Sequence, residues 1–221
     1  MIKLFAIVLF GLFPFACFAQ QEFVPENGKG RVVIVISGAA GPGPIDYIAK
    51  DLSTQCYYTI LFDGRRFPGG DAGAQLKEII ARTQQSPHAL PGKVAVMGFS
   101  MGGGYALTSA TKMSDLVSSV VLYYPMTRYV RNLVGLGSEI KVPTLILAGV
   151  DDTLAGCCYI QNARKIAEGA RKGDGPALLE LVEYPNAFHD FVFKKGQYYR
   201  EADTADSFRR TLDHLRKNFE Q

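Results

Sequence analysis

Short apolar runs recur along the chain, and polar or glycine-rich segments separate them. Continuous runs of this kind are typical of strands that a parallel sheet buries on both faces. They lie at residues 32–36, 57–62, 94–97, 117–124 and 143–149, and an alternating run lies at residues 177–184. Near the C-terminus, apolar residues recur at helical spacing, at Phe208, Leu212, Leu215 and Phe219. The pattern predicts an α/β fold, with a mostly parallel central sheet and helices on both faces.

Length and composition fit one domain that buries a full core. The chain has 221 residues, 48% of them hydrophobic, and no internal repeat or low-complexity tract divides it. We therefore expect a single domain over residues 20–221. The net charge is only +3 and the basic residues are scattered, so nucleic-acid binding has no support. The sequence makes no prediction of the oligomeric state.

The first residues predict export. Lys3 is followed by an apolar stretch at residues 4–16 and then by Cys17-Phe18-Ala19, before polar residues begin. These features describe a secretory signal peptide at residues 1–19, cleaved after Ala19. The stretch is too short for a comfortable membrane span, so we expect a periplasmic or secreted protein with no integral span. The alternative is a lipoprotein cleaved before Cys17, which the residues preceding that cysteine disfavour.

A glycine-rich turn, Gly98-Phe99-Ser100-Met101-Gly102, follows the apolar run at residues 94–97, and a helix is expected from near Gly103. The G-x-S-x-G pattern is typical of a turn that projects a serine hydroxyl between a strand and a helix. The two glycines remove Cβ atoms that would clash where the backbone is pinched. A phosphate-binding loop is disfavoured, because G-x-x-x-x-G-K-[ST] is missing here. Ser100 is therefore the candidate nucleophile.

Such a turn requires an acid and then a histidine later in the chain. The apolar run at residues 143–149 ends in Gly149-Val150-Asp151-Asp152, which supplies a carboxylate at the end of a strand. The run at residues 177–184 leads into a loop that contains His189. Order and elimination therefore select His189 as the base. The other two histidines are better explained by ordinary structural roles, one before the serine and one in the C-terminal helical pattern: His88 and His214.

These motifs resemble the dienelactone hydrolase branch of the α/β-hydrolase superfamily. The resemblance runs from about Arg31 to the C-terminus and includes Ala187-Phe188-His189-Asp190-Phe191. It implies an α/β-hydrolase fold, and the chain is short for that fold, so no large lid is expected. The best-known members carry a cysteine nucleophile and a glutamate in the loop after their first central strand. Here Ser100 and Gly38 occupy those positions, which argues against a dienelactone as the substrate.

The resemblance also implies roles for individual residues. In the wider superfamily a G-x-x-D pattern places the acid three residues after the glycine, which favours Asp152. A competing alignment assigns the acid to Asp151. Two backbone N–H groups would hold the oxyanion. They belong to Met101, the residue after the nucleophile, and to Ala39, by its match to the family's first loop.

The expected function is hydrolysis of carboxylic esters, lactones among them, through an acyl-enzyme on Ser100. The substrate would be a small-molecule ester, and Arg65 or Arg66 could hold a substrate carboxylate, although a solvated surface charge fits them equally well. One alternative is other acyl-transfer chemistry on the same residues, as in a peptidase, a transferase or a perhydrolase. Another is a binding protein that has lost turnover, which the presence of all three residue types in order disfavours.

Export changes what the cysteines can do. In an oxidising compartment, Cys56, Cys157 and Cys158 can form disulfides. Adjacent cysteines rarely bond to each other, so the expected states are a disulfide from Cys56 to one of the other two, or buried free thiols. Zinc is not expected, because no histidine lies near them at ligand spacing. No metal or organic cofactor is implied.

Overall fold

A computed structural model describes residues 20–67, 71–172 and 178–220 of the protein. These residues form a fold built on a seven-stranded sheet. The predicted signal peptide at residues 1–19, including Cys17, lies outside the described residues. The strands are β1 (Gln20–Phe23), β2 (Arg31–Ile36), β3 (Tyr57–Phe62), β4 (Val94–Phe99), β5 (Val117–Tyr123), β6 (Thr144–Gly149) and β7 (Leu179–Tyr184). Their order across the sheet is β1-β3-β2-β4-β5-β6-β7. Strands β2 to β7 are parallel, and β1 pairs antiparallel with β3 at one edge.

Helices connect the strands. They are α1 (Asp46–Thr54), α2 (Ala72–Gln84), α3 (Met101–Ser109), α4 (Leu133–Ser138), α5 (Ile160–Ala170) and α6 (Glu201–Phe219). Single turns of 3₁₀-helix lie at Gly43–Ile45, Gly64–Arg66, Ala110–Lys112 and Leu154–Gly156. No helix in the described parts of the chain combines the length and the apolar character needed to cross a membrane.

Both faces of the sheet are covered, because side chains alternate along each strand. In β2, Ile34 joins a core that also contains residues of α2, α3, α4 and α5. Its neighbour Val35 joins the opposite core, which contains residues of α1 and α6. The apolar runs are therefore continuous because neither face of the sheet meets water. This is the α/β-hydrolase architecture expected from the sequence.

The order of the strands brings three loops together. Strand β2 lies between β3 and β4. The connection after β2 leads to β3 on one side, and the connection after β4 leads to β5 on the other side, so the loops that follow β2 and β4 diverge. The carboxyl ends of β4, β6 and β7 lie at the same edge of the sheet, since these strands are parallel. Residues that follow those three ends can therefore meet, although long stretches of chain separate them. No inserted lid domain interrupts the described connections.

Candidate active site

Ser100 occupies a strained turn between β4 and α3. Its backbone has φ 50° and ψ −114°, a conformation that is costly for a residue with a side chain. The turn is possible because the residues two positions before and two positions after Ser100 are glycines. A Cβ on Gly98 would lie 2.6 Å from the carbonyl oxygen of Gly102, and a Cβ on Gly102 would lie 2.4 Å from that of Ile36. Helix α3 begins directly after the serine, two residues earlier than the sequence suggested.

His189 reaches Ser100 from the loop after β7. The Nε2 atom of His189 lies 2.9 Å from the Oγ atom of Ser100, and its Nδ1 atom lies 2.6 Å from Oδ2 of Asp152. An ionised carboxylate only accepts hydrogen bonds, so in the neutral ring Nδ1–H donates to Asp152 and Nε2 accepts from the serine hydroxyl. Both His189 and Asp152 are buried. Serine, imidazole and carboxylate thus form one hydrogen-bonded row.

The two neighbouring aspartates have different surroundings. Asp152 uses Oδ2 for His189, and its Oδ1 accepts a hydrogen bond from the backbone N–H of Leu154 at 3.1 Å. Asp151 is only partly buried, and its backbone N–H donates to the carbonyl oxygen of Ala187 at 3.0 Å. Asp152 is therefore the aspartate that contacts the imidazole in this structure.

The loop after β2 lies against the serine. A Cβ on Gly38 would lie only 2.9 Å from the Cβ of Ser100, so no larger side chain fits there without movement. The next residue, Ala39, is exposed at the start of a turn. The N–H groups of Ala39 and Met101 donate to no other group among the described residues. Both remain available to an oxygen atom bound near Ser100.

Two further residues border the imidazole, and sequence reasoning gave neither of them a role in the site. The ring of Tyr124, at the end of β5, lies 4.5 Å from the ring of His189, and its hydroxyl is buried without a hydrogen-bond partner in the described structure. Oδ1 of Asp190 lies 3.6 Å from Nε2 of His189. Burial raises the pKa of the Asp190 carboxyl, and the neighbouring His189 opposes that rise. The only sign in the sequence that Asp190 belongs to the site was its position next to His189.

Arg65 forms an ion pair with Asp63. Its guanidinium donates to both carboxylate oxygens of Asp63, with Nη2–Oδ2 at 2.6 Å and Nε–Oδ1 at 2.8 Å. The hydrogen bonds from Arg65 lower the pKa of Asp63. Arg65 also packs on the turn at Gly41, where an added Cβ would lie 2.8 Å from Nη2. Its charge is therefore already balanced within the loop.

The expected disulfide from Cys56 was wrong. Cys157 and Cys158 bond to each other, and Cys56 is a free, exposed thiol. Cys56 precedes β3 and so lies at the amino edge of the sheet, whereas the adjacent pair follows β6 at the carboxyl edge. A strand of six residues is about 20 Å long, while a disulfide joins Cα atoms within about 7 Å.

The disulfide lies beside the imidazole. Ligand-type atoms of Cys157, Cys158 and His189 all lie within 4.8 Å of one another. The sulfurs are bonded to each other, and both ring nitrogens of His189 have partners, so in this state the group offers no set of metal ligands.

Several solved structures of other proteins share the fold of this chain. A candidate dienelactone hydrolase from Klebsiella pneumoniae subsp. pneumoniae is 18% identical, with a TM-score of 0.74, over 88% of this chain and 96% of that one. Est1E from Butyrivibrio proteoclasticus is 13% identical, with a TM-score of 0.67, over 89% and 93% of the two chains. An esterase domain from a Rhodothermus marinus protein is 16% identical, with a TM-score of 0.64, over 90% and 92%. These similarities concern the fold.

A search of curated proteins found no match. The sequence profile of the dienelactone hydrolase family matches residues 66–219, which is well over half of the chain and includes Ser100, Asp152 and His189. The chain belongs to the dienelactone hydrolase family.

Proposed function

We propose that the protein is a serine hydrolase that cleaves carboxylic esters, lactones included, through a covalent acyl-enzyme. The hydrogen-bonded row from Ser100 through His189 to Asp152 is the observation that carries the proposal. A serine hydroxyl becomes a useful nucleophile when a neighbouring base accepts its proton and a third group orients that base. Family membership supports hydrolysis, and one structural relative, Est1E, binds ferulic acid.

The reaction would proceed in two halves. Nε2 of His189 accepts the proton of Ser100 as Oγ attacks the ester carbonyl, and Asp152 stabilises the resulting imidazolium. The N–H groups of Met101 and Ala39 would hold the oxyanion. His189 then returns the proton to the departing alkoxide, leaving an acyl group on Ser100. A water molecule, activated by the same imidazole, releases the acid.

The test is hydrolysis of short aryl esters by the protein and by Ser100→Ala. Ser138→Ala is the matched control, since Ser138 lies on the exposed surface of α4, where its hydroxyl donates to the carbonyl oxygen of Gly135. We expect Ser100→Ala to lower kcat on the order of 10⁶-fold and the control to leave it unchanged. Peptide, alcohol-acceptor and peroxide-acceptor assays on the same protein distinguish hydrolysis from other acyl transfers. Retention of most ester hydrolysis in Ser100→Ala would refute the proposal.

We further propose that the protein is exported and cleaved after Ala19. This rests on the charged start, the apolar stretch and the small residue before Gln20. The protein recovered outside the cytoplasm should begin at Gln20, as measured by intact mass. A lipid-modified N-terminus at Cys17 would instead support the lipoprotein alternative.

A further inference from the structure

We propose that the Cys157–Cys158 disulfide is a positioning element for Asp152 and His189, and that its reduction slows turnover while the fold persists. The inference rests on the proposed function, and it adds a redox requirement to the same site.

A short series of hydrogen bonds joins the disulfide to the acid. The N–H of Cys157 donates to the carbonyl oxygen of Leu154 at 2.8 Å, and the N–H of Leu154 donates to Oδ1 of Asp152 at 3.1 Å. The remaining carboxylate oxygen of Asp152 bonds to His189. A change in the backbone at Cys157 therefore reaches the imidazole through three successive hydrogen bonds.

The same cysteine anchors the loop after β5. The carbonyl oxygen of Cys157 accepts hydrogen bonds from the N–H groups of Thr127 and Arg128, at 2.8 and 3.1 Å, and from the Thr127 hydroxyl at 3.2 Å. The preceding residue, Met126, donates its N–H to the carbonyl oxygen of Ser100 at 2.8 Å. The loop at residues 150–159, which carries both Asp152 and the disulfide, is called the acid loop below. Cys157 thus joins the acid loop to the loop after β5, which in turn bonds to the nucleophile.

The acid loop needs such a constraint because its backbone is unfavourable. Ala155 has φ 46° and Gly156 has φ 65°, so two consecutive residues adopt the left-handed conformation, and the first of them carries a side chain. A disulfide between adjacent cysteines closes a small covalent ring, which restricts the backbone of both residues. The disulfide therefore constrains the backbone directly after the two residues with positive φ.

Reduction would also alter the packing against His189. Both cysteines are buried, with exposed fractions of 6% and 5%, and their sulfurs border the imidazole. Two unbonded sulfur atoms cannot remain at bonding distance, so a pair of thiols needs more room than the disulfide. The required space would come from movement of the acid loop or of the imidazole. Either movement disturbs the hydrogen bonds that join Ser100, His189 and Asp152.

An external dithiol supplies the electrons for the reduction of the disulfide. Its thiolate attacks one sulfur, the Cys157–Cys158 bond breaks, and the second thiol of the reagent closes its own disulfide. Two electrons and two protons pass to the protein, which then carries two thiols. Air or an added disulfide reverses the step.

The experiment compares the oxidised protein, the protein reduced by dithiothreitol, Cys157→Ser/Cys158→Ser and the matched control Cys56→Ser. Peptide mass mapping confirms each redox state. We expect reduction to lower kcat for an aryl ester by between tenfold and about a hundredfold, with a smaller change in KM, and reoxidation to restore it. The double variant should remain at the reduced level with or without dithiothreitol. Cys56→Ser should respond like the unmodified protein.

A second readout does not depend on turnover. The proton between Nδ1 of His189 and Asp152 should give a low-field proton resonance in the oxidised protein, and reduction should shift or broaden it while the circular-dichroism spectrum stays the same. If the oxidised protein hydrolyses no ester, the proposed function fails, and the resonance still tests the positioning role. An unchanged kcat and resonance after complete reduction would overturn the inference, and so would global unfolding on reduction.

Discussion

The imidazole of His189 meets two carboxylates, and their positions give them different effects. Asp152 lies 2.6 Å from Nδ1, whereas Asp190 lies 3.6 Å from Nε2. Only Asp152 is within hydrogen-bonding distance, so only Asp152 can fix the orientation of the ring. Asp190 adds negative charge near the nitrogen that would exchange the proton with Ser100. Asp152 and Asp190 are therefore not interchangeable, because they lie next to different nitrogen atoms of the ring.

Replacing Asp152 by Asn should be severe, and replacing Asp151 by Asn should be mild. The amide keeps the shape of the carboxylate but removes the charge and favours the wrong tautomer of His189. We expect a loss on the order of 10⁴ in kcat for Asp152→Asn, by analogy with other triads, and a change of less than about tenfold for Asp151→Asn. Steady-state kinetics on an aryl ester measure both. A larger loss of kcat in Asp151→Asn than in Asp152→Asn would contradict this assignment, because Asp151 would then be the acid that orients His189.

Sequence order was sufficient to nominate Ser100, His189 and the aspartate pair, because each follows the end of a strand in the required order. It was insufficient for Cys157 and Cys158. Their bond depends on local backbone geometry, and the rarity of such bonds favoured the wrong partner. The contact between the rings of Tyr124 and His189 depends on how the chain leaves β5, with a positive φ of 36° at that tyrosine.

At the scale of elements, helix α6 is attached to the edge of the sheet by a polar cluster. The hydroxyl of Tyr184, at the end of β7, donates to Oδ2 of Asp206 at 3.0 Å. Arg210 and Arg209 donate to the same carboxylate, each at 2.7 Å. Burial raises the pKa of Asp206, but these hydrogen bonds outweigh it and lower the value to about 2. The charged form of Asp206 therefore stabilises the attachment.

Replacing Asp206 by Asn should cost stability in a pH-dependent way. The folded pKa lies below the ordinary value of 3.8, so the stabilisation is complete above pH 4 and is lost as pH falls through about 2. The full shift corresponds to about 2 kcal/mol, and solvent screening of a side chain that is one-third exposed reduces it to about 1 kcal/mol.

Urea unfolding between pH 2 and 7 measures this dependence. Asp213→Asn is the matched control, because Asp213 is more exposed and bonds only to Arg209. The difference between the protein and Asp206→Asn should shrink as the pH falls. A difference that grows towards low pH, or an equal loss in the control, would contradict the prediction.

The strands and the last helix were largely predictable, since buried strands and amphipathic helices have distinct apolar periods. Strand β1 was not predicted, because Gln20–Phe23 is short, mostly polar and on the edge of the sheet. The predicted start of α3, near Gly103, is two residues late. Glycine has low helix propensity, but close packing of Gly102 on β2 requires glycine at this position.

At the scale of the whole molecule, the reversal of strand order explains the location of the site. The loops after β2 and β4 diverge next to Ser100, and the loops after β6 and β7 bring Asp152 and His189 to the same edge. The sequence predicted the α/β-hydrolase fold, through its apolar runs and its resemblance to the family, and it made no prediction of the strand order. The single domain over residues 20–221 and export stay predictions.

The central claim is that Ser100 is the activated nucleophile, and a fluorophosphonate probe tests it most directly. We expect intact-mass analysis to find one phosphonyl adduct per chain, and peptide mapping to place it on Ser100. Ser100→Ala should form no adduct, and His189→Ala should react far more slowly, because the hydroxyl has then lost its base. An adduct that persists in Ser100→Ala, or an unreactive native protein, would contradict the account.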